Sequence, residues 1–362
     1  ECRCQSEGYV PLTGNITEQG LLDILRTVKA KAGKAPGLDQ VTPEMLTSLP
    51  DEARNLLLEM VNAVLNGAEV PRSWKGGEVT LLPKGGDRPE HEVSAHRPVT
   101  LLSVSSKFVE AVFCFRLRAN VERFRLLEPP QEGFGRDKST RRSLQSMVWR
   151  LRHLREKKLR AILISLDWSG AFDSISLDAL WHCLRGYGFD EEEVRILSGF
   201  VGDSWFRVAL DVGATADIPS SKGSRQGALL SPLLFNLLLN VLLRRLQQTG
   251  ISEEFSSLGQ DMDATSAFAD DLAAVVTTAR QGQVMVDICM EFAEWAEMKL
   301  NHKKCVCSSW DTQTHASFPV TIKVNGIAIK EVENGGSIKI LGVLISPKLD
   351  WRPQKAAVMC RQ

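Results

Sequence analysis

Two adjacent aspartates, Asp270 and Asp271, interrupt an otherwise apolar stretch of this chain. The segments on either side, 267–269 and 272–276, predict two short buried strands. Like charges between core strands repel each other, and their burial is costly unless a positive charge offsets it. From these residues alone two interpretations stay open: a solvent-exposed hairpin turn, where aspartate is common, or a site for a divalent metal ion.

A further aspartate, Asp167, ends a second apolar strand that we predict over residues 161–166. If this strand neighbours the hairpin in one sheet, three carboxylates meet at one point. Such a cluster needs cations, and oxygen ligands select Mg²⁺ or Mn²⁺. Two such ions about 3.5–4 Å apart can bind the attacking and leaving oxygens of a phosphoryl transfer. We expect Asp167 and Asp270 to bridge two ions, with Asp271 on one ion or in support.

The composition is that of an ordinary globular protein, with 362 residues, 43% hydrophobic and 24% charged, enough for two or three subdomains. Net charge indicates no partner, because 44 basic residues balance 44 acidic ones. The segment 136–160 differs, since ten basic residues oppose only Asp137 and Glu156. It suits a phosphate backbone, and a solvated helix face is the alternative. The ten are Arg136, Lys138, Arg141, Arg142, Arg150, Arg152, Arg155, Lys157, Lys158 and Arg160.

The eight cysteines form no C-x-x-C pair, and a zinc site built from the C-x-C pairs Cys2/Cys4 and Cys305/Cys307 is disfavoured. Several of the other cysteines fit small core residues, so a reducing compartment is expected. The most apolar run, 228–243, contains Pro232, Asn236 and Asn240 and predicts a buried helix and not a membrane span. We find no signal peptide, and because the chain begins with Glu1 we expect a fragment or an excised domain.

Periodicity and turn residues predict the remaining elements. Helices are expected over residues 17–32, 51–66 and 283–299. Three more helices are expected to begin after Thr42 as N-cap, at about residue 103, and after Ser176 as N-cap. In the helix over 283–299, Val284, Ile288, Phe292, Trp295 and Met298 are expected to face inward. Strands are expected over 78–82, on both sides of Asn325-Gly326, and as one strand over 337–346. Helices mixed with antiparallel strands predict the α+β class.

Five segments resemble, in order, the palm motifs of reverse transcriptases, most closely those of non-LTR (LINE-type) retrotransposons: LISLDWSGAFDSI, GSRQGALLSPLLFNLLLN, FADDLAAV, MKLNHKKC and IKILGVLIS. Upstream, KAPGLDQVTPEML, TLLPKGGD, HRPVTLLSVSSKFVE and QEGFGRDKST resemble finger motifs of the same family. The similarity covers roughly residues 30–351. Departures are Phe268, where the family often has Tyr, and Arg225, where many relatives have Pro.

The resemblance implies a right-hand polymerase fold of fingers and palm, with helices packed on an antiparallel palm sheet and the thumb largely absent. The expected divisions are an N-terminal extension over 1–29, fingers over 30–160, a palm with crossing helices over 161–350, and the truncated start of a thumb over 351–362.

The resemblance also implies roles for single residues. Asp167, Asp270 and Asp271 match the metal-binding catalytic aspartates. Lys304 matches a general acid for the leaving pyrophosphate, with Lys303 next to it as an alternative register. Phe172 matches the steric gate against a ribose 2′-hydroxyl, or is a core aromatic. The dNTP would also contact Lys84 (or a surface turn in its place), Arg97, Gln226 and Gly227. The RNA template would contact Arg136, Lys138, Arg141 and Arg142, and the primer end would rest on a strand at Leu341-Gly342.

The function implied is RNA-directed DNA synthesis with two Mg²⁺ or Mn²⁺ ions. The expected partners are an RNA template, a DNA primer and dNTPs, and no membrane. The nucleus is the expected location, or the cytoplasm as a ribonucleoprotein; the oligomeric state is left open. Alternatives are a group II intron-type reverse transcriptase and a thumb-less relic that binds RNA without extending a primer. A nucleotidyl cyclase would not explain the finger motifs.

Overall fold

The structure is a computed structural model that describes residues 6–29, 33, 35–83, 92, 95–135, 138–210, 213–223, 227–258 and 263–360. The helices of this part are α1 Glu18–Lys29, α2 Pro43–Thr47, α3 Asp51–Leu65, α4 Arg72–Lys75, α5 Ser106–Arg123, α6 Thr140–Glu156, α7 Ala171–Ser174, α8 Leu177–Gly186, α9 Glu191–Val201, α10 Ser231–Gln247, α11 Ala279–Trp295 and α12 Arg352–Met359. The strands are β1 Gly76–Pro83, β2 His96–Leu102, β3 Arg160–Leu166, β4 Ser204–Leu210, β5 Gly213–Ala214, β6 Ile218–Ser220, β7 Thr265–Phe268, β8 Asp271–Val276, β9 Val306–Asp311, β10 Lys323–Val324, β11 Ile327–Ala328, β12 Lys330–Glu331, β13 Ile338–Ile340 and β14 Val343–Ile345.

The chain divides into two compact units, each made of two segments. The first unit comprises Glu1–Leu126 and Ile175–Leu234, and the second comprises Leu127–Ser174 and Phe235–Gln362. No helix among the described residues has both the length and the apolar character that crossing a bilayer requires.

The first unit is built on a sheet centred on β1, which pairs antiparallel with β2 and parallel with β4. Strands β5 and β6 both pair antiparallel with β4. The segment before α1 is fixed to this unit by buried polar side chains. Asn120 of α5 accepts a hydrogen bond from Val10 N at 2.9 Å, and Glu193 of α9 accepts one from Leu12 N at 2.7 Å.

The second unit is built on a sheet in the order β12-β9-β3-β8-β7. It is antiparallel except for the two-residue edge strand β12, which runs parallel to β9. Helix α11 approaches one face closely, because a Cβ on Gly282 would lie 2.8 Å from Ile164 Cδ1. Helix α6 lies over the other face, where its Ser143 hydroxyl lies 2.9 Å from that of Ser266. Coverage of both faces explains why β3 and β8 are continuously apolar in sequence.

Several local predictions are confirmed. Thr42 and Ser176 cap α2 and α8, accepting hydrogen bonds from the third following backbone N–H group in each case. Asn325 and Gly326 form a two-residue hairpin turn with φ of +51° and +78°, as a type I′ turn requires. The mixture of helices with antiparallel sheets confirms the α+β class.

Three predictions are wrong. Residues 337–346 form a hairpin of β13 and β14, not one strand, because Leu341 and Gly342 adopt φ of +48° and +83° and turn the chain back. Trp295 is 40% exposed, since the buried face of α11 runs through Met285, Cys289 and Phe292. Arg150, counted above in the basic segment, is buried.

Candidate active site

The hairpin that carries the paired aspartates lies in the second unit. Strands β7 and β8 pair up to Phe268 opposite Asp271, which leaves Ala269 and Asp270 as the two turn residues. Ala269 has φ of +56°, a conformation that costs a residue with a side chain roughly 1–2 kcal/mol. Asp270 is half-buried and Asp271 is exposed. The predicted hairpin is therefore confirmed, with strain stored directly before the first carboxylate.

The third carboxylate reaches the same edge of the sheet through strand pairing. Strand β3 is antiparallel to β8, with Leu166 opposite Leu272. Asp167 directly follows Leu166 at the end of β3, and Asp271 directly precedes Leu272 in β8. Residues more than 100 positions apart in sequence are thus neighbours, as the sequence analysis expected from the ends of these strands.

The carboxylates influence one another electrostatically. Partial burial raises the pKa of Asp270 above its ordinary value, and the negative charge of Asp167 raises it further, while Lys304 opposes the shift. The pKa of Asp271 is also raised, by partial burial and by the charges of Asp270 and Asp167. The ionised cluster is unfavourable without a positive charge close by.

Lys304 supplies one positive charge. Its Nζ lies 3.2 Å from Asp167 Oδ2, and its side chain is 66% exposed. This ion pair is made by Lys304; the choice between Lys304 and Lys303 as general acid stays a prediction. The backbone around Asp167 is fixed on the same side: Asn301 N donates to Asp167 O at 2.8 Å, and Asp167 N donates to Cys305 Sγ at 3.5 Å.

The possible donor atoms are carboxylate oxygens, which a hard divalent cation prefers as ligands. Asp167 Oδ2 is buried and has no hydrogen-bond partner among the described residues, although it forms an ion pair with Lys304. Within the same described part, however, no three His, Cys, Asp or Glu side chains converge as ligands of one ion. The carboxylates are neighbours, with an ammonium group holding one of them.

A buried glutamine supports the turn from outside the hairpin. Residues 130–132 run parallel to β7, with hydrogen bonds from Ala267 N to Pro130 O at 2.9 Å and from Glu132 N to Ala267 O at 2.7 Å. Gln131 is 1% exposed, and its Oε1 accepts hydrogen bonds from Gly133 N at 2.8 Å and Ala269 N at 3.2 Å. A Cβ on Gly133 would clash with Ala269 N. Gln131 and Gly133 together hold the strained residue that precedes Asp270.

Phe172 lies in a cluster of rings beside the turn. Its ring stacks on Phe235 with centroids 4.4 Å apart, and it meets Phe134 edge to face at 6.5 Å. Phe134 also lies 6.5 Å from Phe268. The stack on Phe235 fixes the orientation of the Phe172 ring. Both a steric gate and a core aromatic require a fixed ring, so both interpretations agree with this contact.

The predicted template residues are only partly described. Arg136 lies outside the described residues. Lys138 and Arg142 both form ion pairs with the buried Glu132, at 3.4 and 3.1 Å, and Arg141 is exposed. Arg150 is instead structural, since its guanidinium donates to Ala264 O at 3.3 Å before β7. Burial lowers its pKa to about 10.

The predicted primer contact is the tip of the β13–β14 hairpin. Leu341 and Lys339 line a small cavity of about 20 Å³ together with Asp271. The hairpin turn therefore lies beside the carboxylate cluster, although the strand expected there is absent at these two residues.

The remaining predicted dNTP contacts belong to the first unit. Lys84 and Gln226 lie outside the described residues, and Arg97 is in β2 with its side chain not described. Gly227 has φ of +102°, and a Cβ there would lie 2.8 Å from Thr100 O. Glycine is needed at this position by close contact with β2, which is a structural reason independent of any substrate.

Two residues that position the site were not singled out from the sequence. Gln131 lies at the start of a segment that resembles a finger motif but was given no role of its own, and Cys305 was considered only as half of a C-x-C pair. A signal existed for Gln131, because a polar side chain flanked by Pro130 and Gly133 is unusual in a buried strand. Nothing local indicates that Cys305 accepts a hydrogen bond from Asp167.

Comparison with known proteins agrees with this geometry. The family model described as reverse transcriptase (RNA-dependent DNA polymerase) matches residues 82–345, well over half of the chain. The chain therefore belongs to the reverse transcriptase family. Within that family, its similar relatives come from non-LTR retrotransposons.

The chain is 28% identical over 292 residues to the Pol polyprotein of the type-2 retrotransposable element R2DM of Drosophila melanogaster, covering 80% of this chain and 26% of the relative. It is 28% identical to an R2 polyprotein of Popillia japonica, covering 88% and 44%, and 25% identical to the RNA-directed DNA polymerase of the Drosophila melanogaster element jockey, covering 88% and 34%. The chain thus spans less than half the length of these relatives.

Among solved structures, apo telomerase from Candida tropicalis, truncated from its C-terminal domain, has a similar fold. The TM-score is 0.51 at 14% identity, over 78% of this chain and 55% of that one. At this identity the likeness concerns the fold alone.

Proposed function

We propose that this chain catalyses RNA-directed DNA synthesis, adding dNTPs to the 3′-hydroxyl of a DNA primer on an RNA template. The primer hydroxyl attacks the α-phosphate, one phosphodiester bond forms, and pyrophosphate leaves. One observation carries the proposal: Asp167, Asp270 and Asp271 adjoin one another at one edge of a sheet, in a chain of the reverse transcriptase family.

In this proposal Asp167 and Asp270 hold two Mg²⁺ or Mn²⁺ ions, and Asp271 holds one of them or supports the others. When bound, such ions activate the attacking hydroxyl and neutralise charge on the leaving oxygens. The raised pKa values of Asp270 and Asp271 support a site that is unfavourable while it lacks cations. The ammonium of Lys304 offsets part of that repulsion.

Lys304 is the proposed general acid. The Lys304 side chain is largely exposed, and its Nζ pairs with Asp167. The side chain can therefore turn from Asp167 towards the leaving pyrophosphate and donate a proton to a pyrophosphate oxygen. Phe172, fixed by its stack on Phe235, is the proposed steric gate that leaves no room for a 2′-hydroxyl.

The other contacts are proposed from the family resemblance. Lys84, Arg97, Gln226 and Gly227 bind the dNTP; Arg136, Lys138, Arg141 and Arg142 bind the template; Leu341 and Gly342 contact the primer. The exposed Arg141 supports the template assignment, since it is available to a phosphate. We further propose a fingers and palm organisation and, because a retroelement polymerase copies RNA at chromosomal DNA, a nuclear location.

Primer extension on poly(rA)·oligo(dT) with dTTP and Mg²⁺ tests the proposal. We expect extension by the wild type and a loss of at least about 10³-fold in Asp270→Asn, since the amide cannot replace a bridging carboxylate. Asp287→Asn is the matched control, because Asp287 is exposed on α11 and contacts only Gln283 in the described structure. Equal activity of Asp270→Asn and wild type would overturn the assignment. Duplex binding without extension by the folded wild type would favour the RNA-binding relic.

A further inference from the structure

The second unit has an open cleft at the end of its sheet that lies away from the carboxylates. The cleft has a volume of about 280 Å³, and its lining includes Arg155, Trp310, His315, Lys348, Asp350 and Arg352. Trp310 is opposite Ala161 in the β3–β9 pairing, whereas Asp167 lies beyond the other end of β3. Asp167 is six positions along the chain from Ala161, a distance of about 20 Å in an extended strand. The cleft is therefore distinct from the candidate active site.

Three cationic side chains and one carboxylate line the cleft, so it is positive overall. Lys348 Nζ lies 5.3 Å from the centre of the Trp310 ring and donates to Asn334 O at 2.9 Å. Arg352 is paired with Asp350 at 2.8 Å. Arg155 is exposed and makes no ion pair within the part of the chain that the structure describes. Its guanidinium is thus available to an external anion.

The cleft is continuous with the basic segment that the candidate active site does not use. Arg152, Arg155, Lys157 and Lys158 are exposed at the end of α6 and in the following turn. This turn is tied to the cleft wall, since Thr312 Oγ1 donates to Leu159 O at 2.8 Å and Gln313 Nε2 donates to Lys158 O at 2.9 Å. The turn and the wall therefore form one surface on which the basic side chains outnumber the carboxylates Glu156 and Asp350.

We propose that this cleft binds the phosphodiester backbone of a single-stranded nucleic acid, with RNA as its occupant, at a position remote from the carboxylate cluster. Arg155 and Lys348 contact successive phosphates, and the exposed cations of the α6 turn continue the path. The half-buried indole of Trp310, with an ammonium over it, provides the aromatic and cationic combination that favours nucleic acid over a simple anion. The occupant would be a stretch of RNA other than the nucleotides being copied.

Fluorescence anisotropy of a 5′-fluorescein-labelled, unstructured 30-nucleotide RNA, without dNTPs or metal, tests this proposal. We expect Arg155→Glu/Lys348→Glu to weaken binding at least about tenfold at 150 mM KCl. The slope of log Kd against log[KCl] should fall by about 1.4, since each phosphate contact on a single strand contributes about 0.7. Arg155→Gln/Lys348→Gln should give an intermediate loss, and both variants should keep the wild-type Tm.

The control is Arg26→Glu/Arg195→Glu, which makes the same change in charge on exposed helices of the first unit. If it weakens binding as much as the cleft variant does, or if the cleft variant binds within twofold of wild type, the proposal is overturned. Single-stranded DNA of the same sequence forms a second arm. An equal loss there indicates contacts to phosphate, a loss confined to RNA indicates added contacts to the 2′-hydroxyl, and either supports the cleft. Since the assay requires no chemistry, its failure is separate from a failure to extend primers.

Discussion

At the scale of single residues, the site combines groups that are unfavourable together with groups that hold them in place. Asp270 and Asp271 have raised pKa values in the presence of Asp167, while Lys304 pairs with Asp167 and opposes the pKa shift of Asp270. A chain gains no stability from this arrangement by itself. The cluster is explained by a cationic partner that the carboxylates acquire in function.

The first prediction concerns the repulsion within this cluster. Because the folded-state pKa of Asp270 is raised, its ionised form destabilises the metal-free protein at neutral pH, and the penalty is relieved as pH falls through that pKa. Asp270→Asn should therefore raise the metal-free Tm by about 2 °C at pH 7. It should also abolish the rise in Tm that Mg²⁺ gives the wild type, as calorimetry at several Mg²⁺ concentrations would measure. A lower metal-free Tm in the variant would contradict this reading.

The second prediction concerns Gln131. Replacement by Met keeps the volume but leaves the N–H groups of Gly133 and Ala269 without their acceptor, at a cost of about 1–3 kcal/mol. We expect kcat to fall at least about tenfold with little change in the KM for dTTP, because the turn before Asp270 loosens while the dNTP contacts remain. Gln131→Glu should recover part of the stability, since its oxygens still accept, and should require less Mg²⁺ because the added negative charge attracts the cation. A purely structural role would leave the Mg²⁺ dependence of Gln131→Glu unchanged.

The third prediction concerns Phe172. Phe172→Val should increase the use of UTP relative to dTTP roughly 10- to 100-fold on poly(rA), because the shorter side chain opens space at the 2′ position. Phe134→Leu is the control, since it removes the edge contact but leaves the stack of Phe172 on Phe235. Competition between the two nucleotides in single-turnover assays measures the ratio. Equal selectivity in Phe172→Val and wild type would identify Phe172 as a core aromatic alone.

At the scale of elements, local chemistry was predictable where one residue type dictates a conformation. The Asn325-Gly326 turn, the caps at Thr42 and Ser176 and the β7–β8 hairpin follow from such rules. The β13–β14 hairpin did not, because Leu341 in a left-handed conformation gives no turn signal in the sequence. Helix α11 was predicted, but the choice of Trp295 as inward was wrong, since burial is decided by the sheet that α11 covers. Arg150 was likewise counted among the surface charges, although its burial is decided by the segment before β7 against which it packs.

The fourth prediction concerns the β13–β14 turn. Leu341 has φ of +48°, which Asn tolerates better, so Leu341→Asn should raise Tm or leave it unchanged. Because Leu341 lines the cavity that Asp271 also borders, the same variant should raise the KM for primer–template several-fold. Steady-state extension at varied primer–template measures this. An unchanged KM would show that the tip of this hairpin has no part in primer binding.

At the scale of the whole molecule, one sheet separates two kinds of surface. Its edge at Asp167 gathers negative charge, and its far end at Trp310 gathers positive charge around a cleft. The convergence of Asp167 with the hairpin was expected from the sequence, because apolar strands end at these aspartates. The support from Gln131 and the far cleft could not be predicted, since both depend on pairing between segments distant in sequence. The division into fingers and palm stays a prediction.

We propose above that this chain copies RNA into DNA with its own carboxylate cluster. The most direct test is extension of a 5′-labelled DNA primer on a heteropolymeric RNA template, with one dNTP supplied at a time and protein in excess. We predict that only the complementary dNTP is added, that addition requires Mg²⁺ or Mn²⁺, and that Asp167→Asn and Asp270→Asn each abolish it. Failure of the folded wild type to extend a bound duplex with either metal, or extension that persists in both variants, would contradict the claim.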